Sequence, residues 1–280
     1  MALERAVEDG RLVPGGRAWR ARQRKILEEW LHAPAPELRG AVPVDAVHAE
    51  RQEDWLANGT RARAAALRSA LDVVEPSPDP PAPLQALLDA AVEPIPLTAA
   101  HRVPPRIVGP IAERFGWTFP GMPGRNEVHI PEFLTLREFV ADARLLARRG
   151  RTLRLTPTGR AAQADPAVLA ATAADAWFGR DEFLTAVAEV AAAVLLHGPA
   201  PAEKIVDVGV ATVAPSFRRP DGRHPDRADV RDVAYAWIRP GMALGWVASS
   251  SDGYTLTESG RRAASAGLRA RARAPRHRSD

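Results

Sequence analysis

The chain has 280 residues, 46% of them hydrophobic and 26% charged, with a formal net charge of +4 and no cysteine. That is enough apolar material for a sizeable core and for two or three modules, and it excludes disulfides, thiolate nucleophiles and cysteine-ligated zinc. Of the 38 cationic residues all but Lys25 and Lys204 are arginine, so the basic balance suggests an anionic partner, while part of that richness reflects a compositional bias toward arginine. The first residues carry Glu4, Glu8 and Asp9 and no apolar run, which predicts neither signal peptide nor anchor. The longest apolar stretch, Val187–Leu196, is interrupted by Glu189 and is too short to cross a bilayer. A cytoplasmic protein without membrane contact is expected.

In chain order, residues 1–75 read as helical, with Ile26, Leu27, Trp30 and Leu31 on one face and a second amphipathic run from Glu50 to Val74. The stretch EPSPDPPAP, 75–83, cannot continue a helix and closes this first module. Residues 84–175 form a middle module, followed at 176–213 by an apolar linking helix and connection, in which Glu182–His197 is expected to be a central packing helix. The segment 214–227 reads as a loop and 228–273 as a last module. Residues 274–280 read as a disordered basic tail, with Arg269, Arg271, Arg273, Arg276 and Arg278 crowding this end.

One short text is written twice: RTLRLTPTGRAA at 151–162 and GYTLTESGRRAA at 253–264. In the first copy Thr152–Leu155 alternates like a half-buried strand, Thr156 caps a helix and Pro157 takes its first position. In the second, Tyr254-Thr255-Leu256 is the strand, Thr257 the cap, and Glu258 suits the positive end of the helix dipole. Gly159 and Gly260 stand three residues after the caps and are read as permitting close approach of helix to strand. Each strand is preceded by a turn and a strand-like piece, Leu145–Arg148 and Gly245-Trp246-Val247, so each copy is a helix, a hairpin and a capped helix. A fainter copy, IPLTAAHR at 95–102, keeps Leu97, Thr98 and Arg102, places His101 where the others have glycine, and reads as a strand and cap opening the middle module.

Helix, hairpin and capped helix is the winged-helix arrangement, and the exits LTPTGR and LTESGR resemble those of multiple-antibiotic-resistance-type winged-helix regulators. Over roughly residues 92–200 the chain also resembles a domain of actinobacterial plasmid Orf-three-like proteins, through PLTAAHRVPPRIVGPIAERFGW, Leu136-Arg137-Glu138, the LTPTGR exit and Asp165-Pro166; His101 departs from the glycine of that pattern. This resemblance implies a fold and carries no catalytic residues. The segment WLHAPAPELRGAVPVDA, 30–46, is similar to the toxin-binding segment of antitoxin domains. The expected fold is mainly α (α+β): a helical bundle with two winged-helix-like modules carrying short β-hairpins.

Plotted as a helix, 132–149 has a buried stripe of Leu136, Phe139, Val140, Ala143, Leu146 and Ala147, with Arg137, Arg144 and Arg148 within about 40° of one another. Arg149, Arg151 and Arg154 extend that charge into the hairpin. These six arginines are the candidate contacts to double-stranded DNA, with a solvated arginine-rich face as the alternative; Glu138 and Asp142 on the next strip oppose phosphate. The second turn, Ser249–Asp252, has no cation. There Trp237, Met242, Leu244, Trp246 and Tyr254 read as packing surface; for the tryptophans burial in the core is favoured, with an interface to a protein partner or a second copy at Trp237 and Trp246 as the other reading. The seven histidines are dispersed, and no phosphate-binding glycine loop or nucleophile elbow occurs. His224, Asp226, Asp229 and Asp232 come nearest to a metal cluster, but Asp226 reads as a helix cap. Phe217-Arg218-Arg219 could stack on a base or flank a connection. The expectation is a non-enzymatic DNA-binding regulator without cofactor or metal, the alternative being a protein-interaction module.

Overall fold

A computed structural model describes residues 2–35, 38–73, 75–118 and 126–275. Helix dominates, with five short strands in two small antiparallel sheets. The chain forms two compact units, residues 1–55 with 272–280, and residues 56–271.

The smaller unit holds α1 (Ala2–Glu8), α2 (Trp19–Leu31) and most of α3 (Pro43–Ala57). Ala6, Leu12 and Ile26 form its buried cluster, with Leu3 and Trp19 packed against them. Of the expected apolar face of α2 only Ile26 is fully buried, and Leu27, Trp30 and Leu31 are half-buried. Arg11 binds Glu29 at 2.8 Å and ties the α1–α2 connection to α2.

The larger unit begins with α4 (Arg61–Leu71), α5 (Ala82–Ala90), β1 (Ile95–Pro96), α6 (Pro105–Arg114) and α7 (Pro131–Asp142). It continues with β2 (Leu146–Arg149), β3 (Thr152–Leu155), α8 (Pro157–Ala164), α9 (Pro166–Trp177), α10 (Glu182–Leu196), α11 (Ala202–Thr212) and α12 (Arg227–Ala243). The last elements are β4 (Val247–Ser250), β5 (Gly253–Leu256) and α13 (Glu258–Arg273). The twice-written text marks the end of a longer structural repeat. The order α5, β1, α6, α7, β2, β3, α8 recurs as α10, a single bridge at Ala200, α11, α12, β4, β5, α13. Ile95 pairs with Leu153 and Ala200 with Tyr254, at corresponding places in the two copies, so β1 and Ala200 are the same element at different lengths.

Both repeats close in the same way. At the end of α7 the Leu145 N–H donates to Val140 O at 2.9 Å and Arg144 N–H to Ala141 O at 3.0 Å. At the end of α12 the Trp246 N–H donates to Gly241 O at 2.8 Å and Gly245 N–H to Met242 O at 3.0 Å. This is the paired-bond helix stop that requires a left-handed residue just past the helix, and Gly245 (φ 74°) and Arg144 (φ 57°) supply it. Of the two readings of this stretch the hairpin strand at Leu145–Arg148 holds and the helix over 132–149 is corrected: α7 stops at Asp142 and Leu146–Arg149 is strand. The hydroxyl of Thr156 donates to Arg144 O at 2.6 Å and accepts from Gly159 N at 2.9 Å. Thr257 does the same with Gly245 O at 2.9 Å and Gly260 N at 3.1 Å. Each threonine thus caps one helix and fastens it to the end of the previous one.

The core sits around α10, which buries eleven of its residues, Glu189 among them, against α4, α11 and α12. Its alanines let these neighbours approach closely, as the sequence anticipated for a central helix. α7 packs along α12, and α9 touches both. Because α4 packs on α10, the division between units falls between Trp55 and Leu56 and upstream of the Pro-rich stretch. That stretch is strapped to α13: Arg261 binds Glu75 at 3.0 Å, Arg262 binds Asp79 at 2.7 Å, and Ser265 Oγ donates to Val73 O at 3.1 Å. Consecutive prolines prevent a helix there but leave carbonyls and carboxylates for the arginines to hold.

Candidate anion-binding surface

The first hairpin turns through Gly150 and Arg151, with Gly150 at φ 60°, the conformation that a two-residue hairpin loop asks of its first residue when that residue is glycine. Register pairs Ala147 with Arg154, Arg148 with Leu153 and Arg149 with Thr152. Directly opposed residues share a face and the face alternates along a strand, so Arg149 and Arg154 project together, Arg148 lies on the face of buried Leu153, and Arg151 occupies the tip. Arg144 sits at the left-handed position before β2. The side chains of Arg144, Arg148, Arg149, Arg151 and Arg154 are exposed, and none has a hydrogen-bonding or ion-pair partner among the described residues.

Arg137 is not part of this set. Its guanidinium is ion-paired to Glu127, and Nη2 donates to His101 O at 2.8 Å. Glu127, 2% exposed, also accepts from Val103 N at 2.6 Å, so Arg137 neutralises a buried carboxylate, which would be costly if left alone. With α7 ending early, Arg137, Arg144 and Arg148 do not share a helix face. Nothing in the local pattern around Leu136-Arg137-Glu138 announces the Glu127 contact, which is made by a residue in the irregular segment upstream.

For Trp237 and Trp246 the interface reading is corrected and the core reading holds. Both are fully buried and offer no surface to a partner. Trp177 of α9 stacks on Trp237 with ring centroids 4.4 Å apart and planes at 13°, and lies 5.0 Å from Trp246; its Nε1 donates to Trp237 O at 3.0 Å. Gly241 makes room, since a Cβ there would stand 2.8 Å from the Trp177 ring. Large flat rings filling the space between three elements are a core solution. The second hairpin carries Ser249, Ser250 and Ser251 and the carboxylate of Asp252, all exposed, and so has no cation to set against an anion.

The 214–227 connection is held by its own side chains. Phe217 packs on Phe183 at 5.2 Å, His224 Nδ1 lies 3.1 Å from Ala214 O, and Arg219 bridges Asp226 at 3.1 Å and Asp229 at 3.0 Å. Asp226 caps α12 as expected, accepting from Ala228 N at 2.8 Å and Asp229 N at 3.1 Å, while Asp229 returns the bond to Asp226 N at 2.9 Å. Among the described residues no group of three or more His, Asp or Glu is placed to hold a metal ion. The tail arginines Arg276 and Arg278 lie outside the described residues.

The backbone N–H groups of Asp229 and Ala228, followed by the charge of Arg219, hold the Asp226 carboxyl below the ordinary carboxylate range. A carboxyl depressed in the folded state contributes stability that is present above its unfolded value of about 3.9 and is lost as pH falls through the lower folded value. Melting temperature should therefore fall more steeply below about pH 4 in the wild type than in Asp226→Asn, which keeps a capping oxygen without the charge. Parallel curves from pH 2 to 6 (about the range of interest) would remove the cap from the pH response.

No protein-family model, curated protein or solved structure matches this chain. No helix among the described residues is long and apolar enough to cross a membrane.

Proposed function

We propose that this is a non-enzymatic winged-helix protein that grips the backbone of double-stranded DNA with its first hairpin, the wing. The observation that carries the reading is the set of five exposed guanidiniums on Arg144, Arg148, Arg149, Arg151 and Arg154 that have no partner among the described residues. Support for the fold name comes from the order helix, strand, helix, helix, hairpin, which occurs twice. In such folds the helix before the hairpin enters the major groove and the wing follows the backbone. Here that helix, α7, packs along α12 and exposes Glu138 and Asp142, so the reading rests on phosphate contact through the wing and not on base contacts by α7. Binding should be insensitive to sequence and steeply dependent on salt.

Fluorescence anisotropy of a labelled random-sequence duplex over a salt series tests this. The wild type should lose affinity linearly in log salt, and the variant with Arg148, Arg149, Arg151 and Arg154 all changed to Ala should lower that slope by roughly 3, close to one unit per phosphate released. Absence of binding at low salt, or an unchanged slope, would overturn the proposal and direct attention to a protein partner.

A further inference from the structure

A pocket of about 200 Å³ opens between the end of α7, the start of α8, α9 and the turn before α10, lined by Arg144, Thr158, Thr172, Asp175 and Arg180 among others. Its lining sets two arginines and two threonines against one carboxylate, with Ala143, Ala176 and Gly179 between them. The guanidiniums of Arg144 and Arg180 and the hydroxyls of Thr158 and Thr172 have no side-chain hydrogen bond or ion pair among the described residues. Its carboxylate, Asp175, faces Arg271 at 3.9 Å. The pocket therefore brings two cations and two hydroxyls with unused donors from four segments to one wall, beside a single carboxylate that has its own arginine.

The second repeat provides an internal comparison. Gly245 stands at the place of Arg144 and Ser259 at that of Thr158, so the same backbone is built there without the cation. A left-handed φ is adopted freely by glycine and rarely by residues with a Cβ, yet the first repeat keeps arginine at φ 57°, on the wall of the pocket. The volume suits an ion or a very small metabolite, being below the range of drug-sized sites.

We propose that this pocket binds a small oxyanion, a phosphate or carboxylate group free in solution, held by Arg144 and Arg180 with the threonine hydroxyls completing its hydrogen bonds. Paired guanidiniums match the planar geometry of such groups, and bonds between charged partners are stronger than neutral ones. The site goes beyond the DNA reading and does not depend on it: Arg180 lies outside the wing.

Isothermal calorimetry of the full chain with inorganic phosphate, and separately with acetate, at ionic strength matched by chloride, is the test. Saturable binding of at least one anion is expected, weakened about tenfold or more by Arg180→Ala and by Arg144→Gly. Arg144→Gly should at the same time raise the melting temperature by a few degrees, because glycine relieves the left-handed position, so its lost binding is not a failure to fold. No saturable heat at millimolar anion, or binding equal in wild type and Arg180→Ala, overturns the proposal. So does an Arg180→Ala protein whose DNA salt slope falls while neither anion binds, since the pocket would then hold a backbone phosphate. Anion binding that persists in a protein showing no DNA affinity supports the pocket and sinks only the wing.

Discussion

Gly159→Ala is expected to destabilise the larger unit by about 3 kcal/mol or more, lowering its melting temperature by roughly 10 °C. In an ordinary helix interior the same change gains about 0.5–1 kcal/mol. The sign reverses here because a Cβ at Gly159 would overlap the Leu145 carbonyl oxygen and stand 2.9 Å from its carbon, and backbone atoms have no rotamer with which to yield. Relief would require α8 to lift off the end of α7. That also breaks the bond from Thr156 N to Leu145 O at 3.0 Å and the threonine bridge to Arg144 O. Gly260→Ala should repeat the result, since its Cβ would overlap Trp246 O and lie 2.7 Å from the carbonyl carbon. Thermal denaturation followed by circular dichroism decides the matter: a variant melting at or above the wild type would mean that helix and carbonyl are not in register as described.

The other large effect is expected at Glu189. It is 2% exposed in the middle of α10, ion-paired with Arg63 of α4, itself 5% exposed, and bound by Arg271 Nε at 3.1 Å. Glu189→Ala takes the buried counter-charge from Arg63 and the nearer of two carboxylates from Arg271, whose other is Asp175 at 3.9 Å, and removal of one member of a buried ion pair costs about 3–5 kcal/mol. Replacing Arg63, Glu189 and Arg271 together by Met, Leu and Met should recover much of that loss, because the penalty comes from the stranded charges and not from missing attraction. Urea denaturation of the single, double and triple variants gives the coupling directly. A cost below about 1 kcal/mol for Glu189→Ala would show the arginines finding water instead, and the interior around α10 to be open.

The sequence shows the parts of this fold that are made locally. Thr156, Thr257 and Asp226 are side chains whose reach covers only the next three residues, and all three cap as their positions suggest. The apolar run between Glu182 and His197 is buried over most of its length because only Thr185 and Glu189 interrupt it, and both have partners. The end of α7 was hidden because Arg144 occupies the position where glycine normally announces a helix stop; Gly245 announces it in the second repeat. With that signal gone, Leu146 and Ala147 continue the apolar stripe of α7 and extend its apparent length. The counterpart of β1 in the second repeat has shrunk to one bridge at Ala200, too short to leave an alternating pattern. The remaining contacts are tertiary: Trp177 of α9 with Trp237 and Trp246 of the second repeat, and Arg137 with Glu127 inside the first. Spacing along the chain does not encode such meetings, so the arginine that looked exposed is spent on a buried carboxylate, while the two tryptophans, read chiefly as packing residues, are in the core.

The Trp177–Trp237 stack has an optical consequence. Two indoles nearly parallel at 4.4 Å couple their electronic transitions, so the intact core carries an exciton signature in the ultraviolet circular dichroism that neither ring has alone. One ring comes from the helix following the first hairpin module and the other from the helix preceding the second hairpin. The signal therefore reports whether α9 is docked on α12, separately from whether each has kept its helical turns. A chain that had undocked without melting would lose the couplet and keep its helical spectrum.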